Sequence, residues 1–218
     1  MLITLDNNLK ERIPTLRLGW VTATASVGVA SPEQQAEFQR ALRSFADCTP
    51  LDSIAGVPEI RAAREASRVL GRDPNRYRAS AEALLRRSVK RQPIRSINNV
   101  VDVNNLISLQ YALPVGSYNM GVINGQVTLR VGHISERYAG VTKGDVELEG
   151  MLVLCDSIGP FGSPAGDSAR APISVTTERI IVVLFSLNES TDLEEALSTT
   201  ELALRRYASA TSIQRGTT

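Results

Sequence analysis

The stretch Ser96 to Asn119, SINNVVDVNNLISLQYALPVGSYN, constrains this chain more than any other. From Val100 to Tyr111 the spacing predicts a helix that is apolar nearly all round. Val100, Ile107 and Tyr111 share one side, Val103 and Leu106 widen that stripe, and Leu109 lies opposite. A helix with no fully polar face has to be covered on several sides, which places it inside a layered fold. Asp102, Asn104 and Asn105 nevertheless ride on it, and buried carboxylates and amides need hydrogen-bond partners. Two readings are open. In one, Asn98 or Asn99 caps the helix and Asp102 faces its positive end. In the other, Asp102, Asn105 and Ser108 line a site beside the turn that follows. That turn, Leu113 to Tyr118, ends the helix at Pro114, and Gly116 permits a close approach that a side chain would block.

A core large enough to bury such a helix fits the chain's 218 residues, 43% hydrophobic and 22% charged. No apolar run approaches the length of a membrane span, and no membrane partner is expected. The first residues carry acids and no long apolar run, which argues against a signal peptide. Cys48 and Cys155 are too few for a disulfide scaffold or a cysteine-rich zinc site. The single histidine, His133, argues against a histidine metal site and reads as a surface or turn residue. No phosphate-binding glycine fingerprint or nucleophile elbow is present. These features point to a cytoplasmic protein without metal or cofactor. The net charge of +1 hides a segregation: from Arg72 to Arg95 there are eight basic residues against Asp73 and Glu82. Such asymmetry marks either a solvated helix face or a polyanion-binding surface.

In chain order, Thr15 to Ala25 reads as a strand. Ser31 and Pro32 open a helix to about Phe45. Asp52 to Gly56 is a linker, and Pro58 starts a helix to about Leu70 with Gly71 as its C-cap. Ser80 is expected to cap the next helix. Its inner face is Ala81, Leu84, Leu85 and Ser88, with Arg86, Arg87 and Lys90 outside and Arg91 at the margin. After the central helix, Asn119 to Val131 reads as a hairpin about Asn124-Gly125. Gly144 to Asp156 holds a long strand, and Cys155 at its end reads as core. Ser157 to Ala171 is a long loop of the kind that is often functional. Ile180 to Leu187 is a strand buried on both faces. Thr191 caps a last helix, and the polar tail from Ser209 is expected to fray.

The stretch Ser96 to Pro114 resembles the S-x-N-V-V-D-x-T-N-Y-x-x-L-x-x-x-Q-P-x-H motif of the B-three/B-four module in the phenylalanyl-tRNA synthetase beta subunit. It is still more similar to free-standing relatives of that module, whose D-x-x-N-x-x-S-L-x-x-x-L-P-x-G-x-Y pattern fits Asp102, Asn105, Ser108, Leu109, Leu113, Pro114, Gly116 and Tyr118. Asp73-Pro74 through Arg87, Glu136 with Tyr138, and Asp167 with Ser168 fit the relatives more loosely. The resemblance implies an α+β fold, with helices packed on a β-sandwich-like sheet arrangement. It implies one composite domain over residues 1–218, with 1–14 and 209–218 peripheral. It also implies a tRNA-related function, since the synthetase module hydrolyses mischarged tRNA. The module's asparagine falls on Asn105, its histidine on Gly116, and a glutamate near Val183.

The candidate pocket is therefore Asp102, Asn105, Ser108, Pro114, Gly116, Ser117, Tyr118, Arg130 and Glu136, with no catalytic residue assigned. Arg86, Arg87, Lys90 and Arg91 are the candidate RNA contacts. Three functions are compatible with this pattern. The first is a trans-acting aminoacyl-tRNA deacylase. The second is a non-catalytic module for tRNA, aminoacyl-tRNA or an amino-acid-like small ligand. The third is a small-molecule enzyme that reuses the pocket.

Overall fold

Two long buried strands and one all-round apolar helix set the architecture. The computed structural model describes residues 3–141 and 144–218. Its six helices are α1 (Asn7–Arg12), α2 (Pro32–Cys48), α3 (Pro58–Val69), α4 (Ser80–Val89), α5 (Asn99–Tyr111) and α6 (Leu193–Ala208). Its strands are β1 (Ile3–Leu5), β2 (Arg17–Thr24), β3 (Val115–Asn119), β4 (Val127–Val131), β5 (Arg137–Ala139), β6 (Asp145–Glu147), β7 (Leu152–Cys155), β8 (Pro160–Gly162), β9 (Arg179–Ser186) and β10 (Thr211–Thr217). One sheet runs β1-β4-β7-β8, a second β10-β2-β9-β3, and β5 pairs with β6. The fold is α+β.

Strand β9 shows why the layers form. Ile181, Val183 and Phe185 point into a core shared with Leu18 and Trp20 of β2, with Val127, Leu129 and Leu154 of the first sheet, and with Ala63 and Ala66 of α3. Ile180, Val182 and Leu184 point the other way, into a core with Val100, Val103 and Ile107 of α5 and Leu197 and Leu204 of α6. Side chains alternate along a strand, so an unbroken apolar run is what two buried faces require. Helix α5 is covered a second time on its far side. Leu106 and Leu109 pack with Phe38 and Leu42 of α2 and with Leu84 and Leu85 of α4. A sheet below and two helices above account for the missing polar face.

Several local expectations change. The hairpin about Asn124-Gly125 does not form: β3 pairs with β9, and β4 pairs with β1 and β7. A 3-10 turn, Met120–Val122, instead carries the chain from one sheet to the other. The long strand from Gly144 divides into β6 and β7. Ser80 is the first helical residue after the cap position Ala79. Asp192 rather than Thr191 caps α6, accepting from the Glu195 N–H. The Thr191 hydroxyl goes to buried Glu59, which also accepts from Ser186 and from the Leu187 N–H. The tail expected to fray is β10, antiparallel to β2. Ile3, Leu5, Leu9 and Ile13, in the segment expected to be peripheral, are buried in the first core; residues 1 and 2 lie outside the described residues. Gly71, by contrast, ends α3 as read. At a φ of +83° it lets its own N–H reach Arg68 and the Arg72 N–H reach Ser67.

Candidate functional site

The polar groups of α5 turn inward. The Asn98 side chain caps the helix by accepting from the Val101 N–H at 2.9 Å. Asp102 folds back on the same end, accepting from the Ser96 hydroxyl and, at 3.2 Å, from the Ile97 N–H. It is 2% exposed and braces the helix entry instead of lining a pocket. Asn99 is a latch. Its oxygen accepts from the N–H groups of Gly28 and Val100, and its nitrogen donates to the carbonyls of Ser26 and Tyr207. One amide thus ties together the starts of α5 and of the β2–α2 connection and the end of α6.

Asn105, the expected pocket asparagine, is half-buried and makes no side-chain hydrogen bond among the described residues. Its neighbour Asn104 faces the sheet and donates to Ser117 Oγ at 2.7 Å, while its own oxygen is buried without a partner among the described residues. Helical phase carries this signal: position 104 lies four residues after Val100 and three before Ile107, in the stripe that meets β3 and β9. Ser108 and Pro114 are buried, and the Pro114 carbonyl accepts from the Phe185 N–H.

Gly116 does border a close approach, but to a side chain of its own strand. A Cβ there would lie 2.2 Å from the Tyr118 hydroxyl, and one at Gly162 would lie 2.3 Å from it. The fully buried Tyr118 ring therefore fills the space over both glycines and packs edge-on to Phe161. The Tyr118 hydroxyl donates to Asp167 at 2.7 Å. Residue 167 keeps some exposed surface, but its carboxyl is turned inward, and burial pushes its pKa up to about 6 against the opposing hydrogen bond from Tyr118. Burial and the same carboxylate raise the Tyr118 phenol well above its ordinary range. Asp167 marks where the long loop is anchored, a role its sequence position alone did not reveal.

Arg130 and Glu136 form a separate bidentate pair, at 2.8 and 2.6 Å. The Arg130 hydrogen bonds hold the Glu136 carboxyl below its ordinary range despite partial burial. The pair makes no hydrogen bond to α5 or β3 among the described residues.

Helix α4 distributes its charges differently. Three guanidiniums, from Arg64, Arg78 and Arg86, crowd one carboxylate, Glu82, at 2.9, 3.8 and 2.8 Å. Glu82 is 1% exposed, and three cations on one anion leave a surplus of positive charge where α3 meets α4. Arg91 pairs with exposed Asp47 at 2.6 Å. Arg87 and Lys90 are exposed and have no carboxylate partner among the described residues; Arg87 reaches only the Pro93 carbonyl.

A cleft of about 40 Å³ lies elsewhere, between α3 and the β6–β7 connection, and none of the expected pocket residues lines it. Among the described residues no group of three or more His, Cys, Asp or Glu side chains is placed to hold a metal ion, and no helix is long and apolar enough to cross a membrane.

The B3/4 domain family model matches residues 62–209. The phenylalanine–tRNA ligase beta subunit of Chromobacterium violaceum is 30% identical over 114 residues, 51% of this chain and 14% of that protein. The same subunit of Shewanella oneidensis is 23% identical over 169 residues, 76% of this chain and 21% of that protein. The chain thus spans a minor part of the length of these relatives. A crystallised N-terminal fragment of the phenylalanyl-tRNA synthetase beta subunit from Pyrococcus horikoshii superposes with a TM-score of 0.51 at 13% identity, covering 97% of this chain and 49% of the fragment. At that identity the superposition speaks for the fold alone.

Proposed function

We propose, from the premise that this chain belongs to the B3/4 domain family, that it is a tRNA-binding module whose α3–α4 surface meets the phosphate backbone. The observation that carries this reading is the charge surplus there. Between residues 57 and 95 eleven arginines and lysines stand against four acids, in a chain whose net charge is +1. Cations already neutralised by carboxylates release few counterions on binding nucleic acid, whereas unpaired ones drive it. Arg87 and Lys90 are of the second kind, and Arg64, Arg78 and Arg86 share a single anion. Aromatic residues make up 5% of the chain, which favours backbone charge and shape over base stacking. The relatives' name connects them with tRNA, and a tRNA partner would put this chain to work in the cytoplasm.

A trans-acting aminoacyl-tRNA deacylase is the catalytic version of the same reading. One observation favours it: Asp167 is an inward-facing carboxyl with a pKa of about 6 beside the Gly116 turn. Against it, the Tyr118 ring fills the space over Gly116 where an ester and a water would have to sit. Binding without turnover is therefore the conclusion. The test is tRNA binding by filter retention together with release of amino acid from mischarged phenylalanine tRNA. Salt-sensitive binding without release is expected. Release that is lost in Asp167→Asn but kept in His133→Ala would establish the deacylase instead, and absence of binding at low salt would remove the tRNA reading.

A further inference from the structure

One part of the α3–α4 surface is ordered more closely than a solvated basic face. Arg78, Glu82 and Arg86 follow one another at i, i+4 and i+8 along the entry and first turns of α4, and Arg64 reaches the same point from α3. All three guanidiniums converge on a single oxygen, Glu82 Oε1: Arg64 Nη1 at 2.9 Å, Arg86 Nε at 2.8 Å and Arg78 Nε at 3.8 Å. Arg64 is the inner brace. Its Nη1 also donates to Glu82 Oε2 at 3.2 Å, its Nη2 donates to Asn75 Oδ1 at 2.6 Å, and its side chain is 13% exposed. The other two are engaged only in part. Arg86 uses Nε alone; its Nη1 and Nη2 make no hydrogen bond among the described residues and are not enclosed, on a side chain that is 25% exposed. Arg78, 44% exposed, forms its ion pair but no hydrogen bond among the described residues. Arg72 and Arg76, stacked on the Tyr77 ring at 3.9 and 5.2 Å, add cations to the same α3–α4 connection.

We propose that this triad is a binding site for a terminal phosphate monoester, held by Arg86 Nη1 and Nη2 and by the Arg78 guanidinium. Charge selects the ligand. Three cations on one carboxylate leave two positive charges uncompensated. A monoester carries about −1.5 to −2 at pH 7 and presents three acceptor oxygens, whereas each diester of a nucleic-acid backbone carries a single charge. Planar guanidiniums hold phosphate through paired N–H groups, and Arg86 has such a pair free. Glu82 makes the site ready. Its carboxyl, on a residue 1% exposed, gathers three long side chains at one point before a ligand arrives, so less rotamer freedom is lost on binding. The proposal rests on the tRNA reading for the source of the group, the 5′ phosphate of the RNA. It goes beyond that reading in giving these arginines a task distinct from the backbone contacts of Arg87 and Lys90.

The test compares tRNA carrying its 5′ phosphate with the same tRNA after phosphatase treatment, by filter retention at low salt. Wild type is expected to bind the phosphorylated form roughly tenfold more tightly, the gain of one or two charge-assisted hydrogen bonds. The Arg78→Gln, Arg86→Gln double variant should bind both forms alike. The Arg87→Gln, Lys90→Gln variant should bind both more weakly and keep the preference. Since Arg86 also bonds buried Glu82, Arg78→Gln alone serves as an independent variant: it breaks no hydrogen bond among the described residues, should leave the circular dichroism spectrum unchanged, and should lower the preference. Equal binding of the two tRNA forms by wild type, a preference that persists in the double variant, or one that is unchanged in Arg78→Gln would each overturn the proposal. If neither tRNA form is retained, the site is read with adenosine 5′-monophosphate beside adenosine, by NMR shifts of the arginine side chains. Saturable shifts with the nucleotide alone would keep the site and remove the tRNA reading; shifts with both or with neither would overturn the site as well.

Discussion

Helices α4 and α5 pack against each other and both carry polar groups, yet they use them in opposite ways. On α5, Asn98, Asn99, Asp102 and Asn104 are drawn inward and bonded to backbone or to buried hydroxyls. On α4, Glu82 is buried and the cations around it outnumber it, while Arg87 and Lys90 project outward. The difference follows from cover. Helix α5 has a sheet beneath it and two helices above, so the polar side chains it turns inward look for partners within the fold, as the Asn104 nitrogen finds one in Ser117. One side of α4 is open to solvent, where long cations keep their hydration and stay available to a partner. Polar residues on a buried helix are thus evidence about assembly, and polar residues on a half-covered helix are evidence about binding.

The contrast is broken most directly on the α5 side. Asn99→Ala strips four hydrogen bonds and leaves the carbonyls of Ser26 and Tyr207 without that partner, and should cost roughly 3–4 kcal/mol of unfolding free energy in urea titrations. A loss below about 1 kcal/mol would show that water replaces the latch. Gly116→Ala comes next. Its methyl would press on the Tyr118 hydroxyl from 2.2 Å, so the ring must move and its bond to Asp167 must break, for roughly 2–3 kcal/mol. If the variant is as stable as wild type, space exists over Gly116 and the catalytic reading regains ground.

Asp167 sharpens the comparison through pH. Its folded pKa is raised to about 6, above the ordinary ~3.9 of an unfolded aspartate. The folded state therefore binds this proton more tightly, so the group's contribution to stability is fully present below about pH 4 and is lost as pH rises through about 6. Asp167→Asn keeps an acceptor for Tyr118 and removes the charge. It should flatten this part of the pH profile and be more stable than wild type at pH 7 by roughly 1–3 kcal/mol. A wild-type stability that rises between pH 4 and 6, with that rise missing in the variant, would reverse the assignment. On α4, replacing Arg87 and Lys90 by glutamine should change stability by less than about 0.5 kcal/mol, since exposed cations contribute little to folding.

The sequence made the layers legible because burial on two sides leaves a periodic trace. The apolar run of β9 and the missing polar face of α5 each called for two neighbours, and both have them. The site was less legible. Asn105 attracted attention through a motif, whereas helical phase pointed to Asn104. The Asn124-Gly125 signal describes a turn and says nothing about which strand pairs with which, so the chain could pass between sheets there. The tail after Ser209 looked frayed because it is polar, but an edge strand needs only backbone bonds to β2. Arg72 lay in a charge run, and nothing in its spacing showed that its guanidinium would be trapped over a tyrosine ring.

The central claim is that the exposed cations of α4, and not the polar groups of α5, meet the nucleic acid. The direct measurement is the salt dependence of tRNA affinity for wild type and for the Arg87→Gln, Lys90→Gln double variant. Two lost phosphate contacts should reduce the slope of log K against log salt by roughly 1–2 and weaken binding most at low salt. Identical slopes and affinities for the two proteins would contradict the account.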